Sequence, residues 1–209
     1  MPDFSLERAH PAPVAGIDEA GRGPLAGPVV AAAVIIDGLA LPRTLRRGID
    51  DSKKLTPATR EELFAGLRQC AHVRIGIGQA DIDEIDTLNI LHATLLAMRR
   101  AVAALGMTPA TALVDGDRAP KLACTVRTVV GGDGKSLSIA SASIVAKVTR
   151  DRLMRDLAAG HPQFGWERNM GYGTPEHLDA LERHGPCVHH RRSFMPMPLL
   201  LGRIEISKG

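Results

Sequence analysis

Short apolar segments separated by turn residues predict five β-strands. They lie at residues 14–18, 28–36, 73–77, 111–114 and 125–130. The second segment is apolar at every position and rich in β-branched side chains, which predicts a strand covered on both faces. Such a strand needs helices packed against the sheet, so we expect strands and helices to share one core.

Helical periodicity and capping residues predict four helices. They are expected to run from Thr56 to about Cys70, from Asp86 or Thr87 to about Leu105, from Ser136 or Ser138 to about Ala158, and from Thr174 to about His184. Thr56 and Pro57 supply an N-cap and a proline in the first turn, a combination that favours a helix start. The second helix has one apolar stripe, which is typical of a helix packed on a core.

The strands come first along the chain and then alternate with helices. This order predicts an α/β fold, with a mixed β-sheet flanked by helices and a small helical C-terminal segment. We expect a flexible N-terminal tail at residues 1–13, a main domain at residues 14–160, and a helical segment at residues 161–209 packed on that domain.

Composition narrows the class of protein without choosing a function. A length of 209 residues fits one domain with a small appendage, and a net charge of +3 fits a polyanionic partner, although many other proteins share it. Cys70, Cys124 and Cys187 are odd in number and widely spaced, which argues against a disulfide framework and a zinc site and favours a cytoplasmic location. No apolar stretch approaches the roughly 20 residues that span a bilayer.

Four carboxylates follow the ends of predicted strands. Asp18 and Glu19 end the first strand, Asp115 ends the fourth, and Asp133 closely follows the fifth. Strand ends gather at one edge of a sheet, where clustered carboxylates repel one another unless a cation lies between them. Mg²⁺ prefers such oxygen ligands, and a pair of divalent ions can activate water for phosphodiester cleavage. The alternative is that Asp115 and Asp133 are solvated turn residues.

A glycine-rich turn follows the first two acids. Gly21, Arg22 and Gly23 loosely match a dinucleotide-binding fingerprint, but that fingerprint must open a helix and the next segment is predicted to be a strand. A tight turn that lets a ligand approach the backbone, with Arg22 adding charge for a phosphate, is the better interpretation. Similarly, residues 134–136 resemble the end of a phosphate-binding loop, but the glycine required five positions earlier is Val129.

Three further groups are candidate nucleic-acid contacts, and each has a structural alternative. Ser52, Lys53 and Lys54 would position a phosphate backbone, or the lysines would only solvate a surface. Tyr172, the single tyrosine, lies between glycines and would pack on a sugar or base, or occupy a simple turn. The basic run at residues 189–192 is either a backbone-binding surface or a solvated or structural feature.

Together these motifs resemble the type 2 ribonucleases H, and among them the bacterial ribonuclease HII family. The resemblance covers residues 14–194 and is carried by the segments at residues 14–24, 51–55, 88–94, 114–116, 138–151, 171–174 and 189–194. It implies a ribonuclease H-like catalytic domain and an endoribonuclease. Such an enzyme hydrolyses the RNA strand of RNA–DNA hybrids and cuts 5′ of ribonucleotides embedded in duplex DNA, leaving 3′-hydroxyl and 5′-phosphate ends.

The resemblance also assigns roles to residues. The metal-binding and catalytic acids are those at the strand ends, holding Mg²⁺ or Mn²⁺, with two ions during catalysis. The turn at residues 21–23 would sense the ribose 2′-hydroxyl, the group that distinguishes RNA from DNA locally, and Tyr172 would contact the adjacent deoxyribose. One departure from the family pattern is Gly131, where many members have a lysine two residues before the last acid.

Other classes of function fit the sequence less well. A non-catalytic nucleic-acid-binding module would gain nothing from four acids beside a phosphate backbone. The sister type, ribonuclease HIII, usually carries an extra N-terminal domain, whereas only a short tail precedes Val14. We expect a monomer without an evident protein partner, since residues 203–209 show no clear docking motif.

Overall fold

A five-stranded mixed sheet is the centre of the computed structural model, which describes residues 1–50 and 52–197. Its strands are β1 (Val14–Ala20), β2 (Val29–Ile36), β3 (Val73–Ala80), β4 (Thr111–Asp115) and β5 (Thr125–Val129). The spatial order is β3-β2-β1-β4-β5. The pairs β1–β2 and β2–β3 are antiparallel, whereas β1–β4 and β4–β5 are parallel. The predicted α/β fold with a mixed sheet is confirmed.

Eight helices accompany the sheet in the described residues. They are α1 (Ser5–Arg8), α2 (Arg43–Gly48), α3 (Pro57–Gln69), α4 (Ile82–Leu88), α5 (Ile90–Ala103), α6 (Leu137–Gly160), α7 (Trp166–Asn169) and α8 (Pro175–His184). Single 3₁₀ turns occur at Asp37–Leu39, Gly132–Gly134 and Pro162–Phe164. The predicted caps of three helices are confirmed, because the side chains of Thr56, Ser136 and Thr174 accept hydrogen bonds from N–H groups in the first turns of α3, α6 and α8.

Strand β2 is buried at all eight positions, as its apolar run predicts. Alternate side chains face opposite layers: Val34 packs with α6 and α3, whereas Ala33 packs with α5. On β1, Gly16 lets α6 come unusually close, since a Cβ there would lie 2.1 Å from the backbone carbon of Ser138. The long helix α6 is therefore pressed against the central strands, and its side chains are brought to the edge of the sheet.

The helix predicted to start at Asp86 or Thr87 is wrong in its boundaries. Two helices, α4 and α5, replace it and meet at Asn89, whose φ is 68° and whose side chain accepts the N–H groups of Leu91 and His92. Asparagine tolerates a left-handed backbone and caps helices well, so one residue both ends α4 and starts α5. Helix α4 itself starts at Asp81, which forms a capping box with Glu84.

The flexible tail predicted at residues 1–13 is wrong for residues 3–8. Phe4 is 1% exposed and packs in the core beside α6. The carboxylate of buried Glu7 accepts hydrogen bonds from the Ser136 hydroxyl at 2.6 Å and from the backbone N–H of Ser138 at 2.9 Å. A carboxylate at the start of α6 accepts an otherwise unpaired N–H and interacts favourably with the positive end of the helix dipole, so polar contacts hold a segment that hydropathy alone suggested was loose.

The C-terminal segment folds against the end of α6. Leu25, Met154, Trp166 and Leu181 share one apolar cluster, which joins α7 and α8 to the loop between β1 and β2. Residues 198–209, including the segment at 203–209 considered for partner docking, and Asp51 lie outside the described residues. The division at residues 160 and 161 stays a prediction. Within the described ranges, no helix combines the length and apolarity that a bilayer crossing requires.

Replacing Phe4 tests whether the N-terminal segment belongs to the core. Phe4→Ala is expected to lower the free energy of unfolding by about 3 kcal/mol, because a buried ring is removed from a packed site. Urea denaturation of the metal-free protein measures this change. Leu178→Ala, at a partly exposed position on α8, is the control and should cost much less. A change at Phe4 within the error of the measurement would restore the flexible-tail interpretation.

Candidate active site at the carboxyl edge of the sheet

Parallel pairing of β1 with β4 places the predicted acids beside one another. Ile17 pairs with Val114, so the residues that follow, Asp18 on β1 and Asp115 at the end of β4, are neighbours at the same edge. Strand β5 continues this edge, since Asp115 is in register with Val129 and the chain reaches Asp133 one turn later.

The acids of β1 lie in an unfavourable electrostatic environment. Asp18 is 5% exposed, and burial raises its pKa well above the usual value, with the charges of Glu19 and Asp115 adding to the rise. Burial also raises the pKa of Glu19, although Arg22, whose guanidinium lies 3.3 Å from the Glu19 carboxylate, opposes this effect. Three carboxylates therefore sit within one another's fields, and a cation among them would relieve their repulsion.

The last two acids are fixed by the turn after β5. The backbone N–H of Gly132 donates to Asp115 Oδ1 at 2.6 Å, while Asp133 is buried and its Oδ2 lies 3.9 Å from Lys53 Nζ. Gly131 has a φ of 63°, a left-handed conformation that a lysine would adopt only with strain. Glycine fits this backbone conformation, and a lysine of another loop, Lys53, approaches the last acid.

The donor set suits a hard divalent cation in type, although it does not form a closed cage. Carboxylate oxygens are the ligands that Mg²⁺ and Mn²⁺ accept, and burial raises the pKa of Asp18 and of Glu19, so a cation nearby would favour their ionised forms. In residues 1–50 and 52–197, no three His, Cys, Asp or Glu side chains converge closely enough to hold an ion by themselves. Mg²⁺ typically completes its shell with water and substrate phosphate, which fits such an open arrangement.

A cleft of about 450 Å³ opens in front of Asp18 and Glu19. Six of the seven predicted substrate-binding residues line it, namely Gly21, Arg22, Gly23, Ser52, Lys53 and Tyr172. Lys54 does not line the cleft, and its ammonium lies 3.6 Å from Asp50 Oδ1. Its role as a substrate contact therefore has no support from the geometry. Asp115 and Asp133 are also absent from the cleft lining, although they share the sheet edge.

Several cleft residues were not predicted from the sequence. Ser143 on α6 hydrogen-bonds to the Asp18 carboxylate and also to the hydroxyl of Ser52, with an Oγ–Oγ distance of 2.8 Å. Arg60 on α3 donates to the carbonyls of Ser52 and Leu55, each at 2.7 Å, and so fixes the loop that carries Lys53. The available signal for Ser143 was the alternation of serine with apolar residues in residues 136–143, unusual in a buried helix.

The basic run at residues 189–192 has mixed roles. His190 and Arg191 are buried, which supports the structural alternative for these two residues, whereas Arg192 is exposed. His190 Nε2 lies 3.0 Å from His177 Nε2, and His177 Nδ1 contacts the carbonyl of Tyr172 at 2.9 Å. Burial lowers the pKa of His190 to about 3, so this ring is neutral at physiological pH and links the Tyr172 turn to the C-terminal segment.

Comparison with known proteins gives the family. A model of the family described as Ribonuclease HII matches residues 15–197. The ribonuclease HII of Paramagnetospirillum magneticum is 64% identical over 197 residues, which cover 94% of this chain and 97% of that protein. The chain belongs to the ribonuclease HII family. It is accordingly an enzyme, a ribonuclease H. The family assignment excludes the dinucleotide-binding interpretation of the glycine-rich turn, and so does the structure, because the segment after the turn is strand β2 and not a helix.

Solved structures agree with the ribonuclease HII assignment. The ribonuclease H2 from Pyrococcus horikoshii OT3 superposes with a TM-score of 0.74 at 30% identity, covering 92% of this chain and 98% of that one. A Mn²⁺ complex of Bst-RNase HIII superposes with a TM-score of 0.71 at 18% identity, covering 92% of this chain and 70% of that one. The second likeness concerns the fold alone. It confirms the ribonuclease H-like sheet with flanking helices.

The electrostatic cost of the acid edge gives a pH-dependent prediction. The pKa of Asp18 is higher in the folded chain than in the unfolded chain, where it is about 3.9. Ionisation of Asp18 therefore lowers the free energy of unfolding as the pH rises above about 3.9, and the loss is complete once the pH exceeds the pKa of the folded state. Asp18→Asn should therefore raise the thermal midpoint of metal-free protein in EDTA at neutral pH, with the gain disappearing at a pH below the unfolded value.

A matched variant separates this local effect from net charge. Asp117→Asn removes the same charge from an exposed loop and should leave the midpoint unchanged. Thermal unfolding followed by circular dichroism across pH measures both variants. A lower midpoint for Asp18→Asn at neutral pH would show that the Asp18 carboxylate is stabilising, contrary to the repulsion described here.

Proposed function

We propose that the chain hydrolyses the RNA strand of RNA–DNA hybrids and cuts 5′ of ribonucleotides embedded in duplex DNA. The products would carry 3′-hydroxyl and 5′-phosphate ends. One observation carries this proposal: Asp18 and Glu19 of β1 and the glycine–arginine–glycine turn line the same cleft. A scissile phosphate at the acids would thus have its ribose within reach of the turn.

The turn is built for close approach of a sugar. Gly21 has a φ of 94°, and a Cβ there would lie 1.9 Å from Arg150 Nε, so a side chain is excluded on both conformational and steric grounds. Gly21 and Gly23 both line the cleft, where the backbone of the turn can hydrogen-bond to a 2′-hydroxyl.

Tyr172 faces this turn across the cleft. Its ring lies 3.6 Å from the position of a Cβ on Gly23, and the side chain is 46% exposed. A ring with one open face can pack on a deoxyribose or base, as proteins that bind nucleic-acid strands commonly do. The geometry supports a site that examines a ribose and its neighbouring deoxyribose together.

Positive charge is available for the phosphate backbone. Lys53 is 82% exposed in its side chain, and Lys147 on α6 also lines the cleft while its Nζ lies 2.8 Å from Asp151. Such contacts would hold a duplex in register without reading its sequence. Ser52 would act through its hydrogen bond to Ser143, which in turn orients Asp18.

Asp18, Glu19, Asp115 and Asp133 would hold two divalent cations, Mg²⁺ or Mn²⁺. Bound there, these ions supply the Lewis acidity and charge neutralisation that phosphodiester hydrolysis requires. The chain contributes fixed acid positions: the Glu19 N–H donates to Asp18 Oδ1 at 2.7 Å, and the Gly132 N–H restrains Asp115. Action as a monomer in the cytoplasm stays a prediction.

A single embedded ribonucleotide provides the test. Wild-type protein with Mg²⁺ or Mn²⁺ should cut a DNA duplex at the 5′ side of that ribonucleotide, cut the RNA of a hybrid, and leave an all-DNA duplex intact. Asp18→Asn should lower kcat/KM at least about a hundredfold, since even residues that only support metal ligands commonly cost 10–100-fold. Product mapping on sequencing gels measures the cut and its ends.

The control for this loss is Asp117→Asn, which should cleave like the wild type. Failure of the wild type to cut the embedded ribonucleotide, while it still degrades a hybrid, would remove the finer substrate assignment. Full turnover by Asp18→Asn would remove Asp18 from the active site.

A further inference from the structure

We infer that Arg191 is a positioning residue for ribonucleotide recognition, because its guanidinium fixes the peptides of the glycine–arginine–glycine turn from behind. This inference rests on the proposed function and adds a residue to it. Arg191 does not line the cleft. It reaches the turn from the C-terminal segment, 170 residues along the chain from Gly21.

The contacts are made entirely to backbone carbonyls. Arg191 is 0% exposed, and its guanidinium donates to the carbonyls of Gly21 at 2.6 Å, Arg22 at 3.0 Å and Gly27 at 3.0 Å. A planar group with five donors suits three carbonyls of the loop between β1 and β2, a task that the single ammonium of lysine cannot perform in the same geometry.

Hydrogen bonds to these carbonyls also fix the direction of the N–H group on the opposite side of each peptide. In a trans peptide the C=O and the following N–H point in opposite directions, so a carbonyl of Gly21 on Arg191 directs the Arg22 N–H away from it. The carbonyl of Arg22 likewise directs the Gly23 N–H away. Within the described part of the chain neither N–H has a backbone acceptor, and both residues line the cleft. Two donors are therefore presented to an oxygen of the substrate.

The charge of Arg191 strengthens these donors. A guanidinium bound to a carbonyl polarises the peptide, which makes the N–H of the same peptide a better donor. Burial and neighbouring Arg150 lower the pKa of Arg191 to about 9, yet the group stays protonated at neutral pH. Arg150 restrains the neighbouring part of this loop, because its guanidinium donates to the carbonyls of Ala26 and Pro28.

The surrounding structure restrains Arg191 itself. Its backbone N–H donates to the carbonyl of Leu25 at 2.9 Å, which ties the segment to the loop after the turn. The guanidinium carbon lies 5.0 Å from the centroid of the Phe194 ring, in a cation–π arrangement. Arg191 is thus held on two sides while it holds the turn.

Steady-state kinetics distinguish positioning from a general structural role. We would measure KM for a duplex with one ribonucleotide and the inhibition constant Ki of the matched all-DNA duplex, because neither depends on the fraction of active protein. Arg191→Lys should raise KM about tenfold, the equivalent of one or two hydrogen bonds, and leave Ki unchanged. Arg183→Lys, at an exposed position on α8 outside the cleft, is the control and should change neither constant.

Each outcome decides the inference. An Arg191→Lys protein that loses only apparent kcat, with KM and Ki as in the wild type, overturns it. If that variant does not fold, Phe194→Leu decides instead: it keeps Arg191 but removes the ring against it, and KM should rise two- to threefold at constant Ki, whereas an unchanged KM overturns the inference. Failure of the wild type to cut the ribonucleotide duplex would refute the proposed function and this inference with it, an outcome distinct from a change in KM confined to the variant.

Discussion

The parallel pairing of β1 with β4 imposes the constraint on which the site depends. It brings Asp18 next to Asp115 at one sheet edge, with Glu19 following, and burial prevents water from screening their repulsion. A fold gains no stability from such an arrangement, so the surrounding structure must hold the acids in place. Carboxylates that are buried and close together are stabilised in their ionised forms by a cation, which is why this edge suits divalent ions.

The supporting structure comes from distant parts of the chain. Helix α6 lies close against β1 and supplies the Ser143 hydroxyl to Asp18. The N-terminal segment, through Glu7, secures the start of that helix. On the other side of the cleft, Arg191 binds the backbone of the glycine-rich turn, and His190 reaches the Tyr172 turn through His177. The acids and the turn that is proposed to sense the ribose are therefore connected through the same packed segments.

The features of this framework that depend on local sequence patterns could be predicted from the sequence. Apolar runs located all five strands, and acids at strand ends followed from topology alone. Contacts between distant segments were out of reach: nothing local distinguishes buried Arg191 from exposed Arg192, or Lys53 in the cleft from Lys54 beside Asp50. The N-terminal segment was missed because Glu7 is held by polar contacts to α6, which hydropathy does not register. At Asn89, the apolar stripe continues but the capping side chain ends one helix and starts the next, so the stripe predicted a single helix where there are two.

Whether the acids at this edge bind catalytic divalent cations can be determined by counting bound Mn²⁺. Electron paramagnetic resonance measures the free Mn²⁺ that remains as protein is added. The titration is done with and without a duplex that contains one ribonucleotide. A phosphorothioate at the scissile position of that duplex slows its cleavage. We expect weak binding by the protein alone, tighter binding with the duplex, and loss of binding in Asp18→Asn. Equal Mn²⁺ binding by the wild type and Asp18→Asn would contradict this expectation.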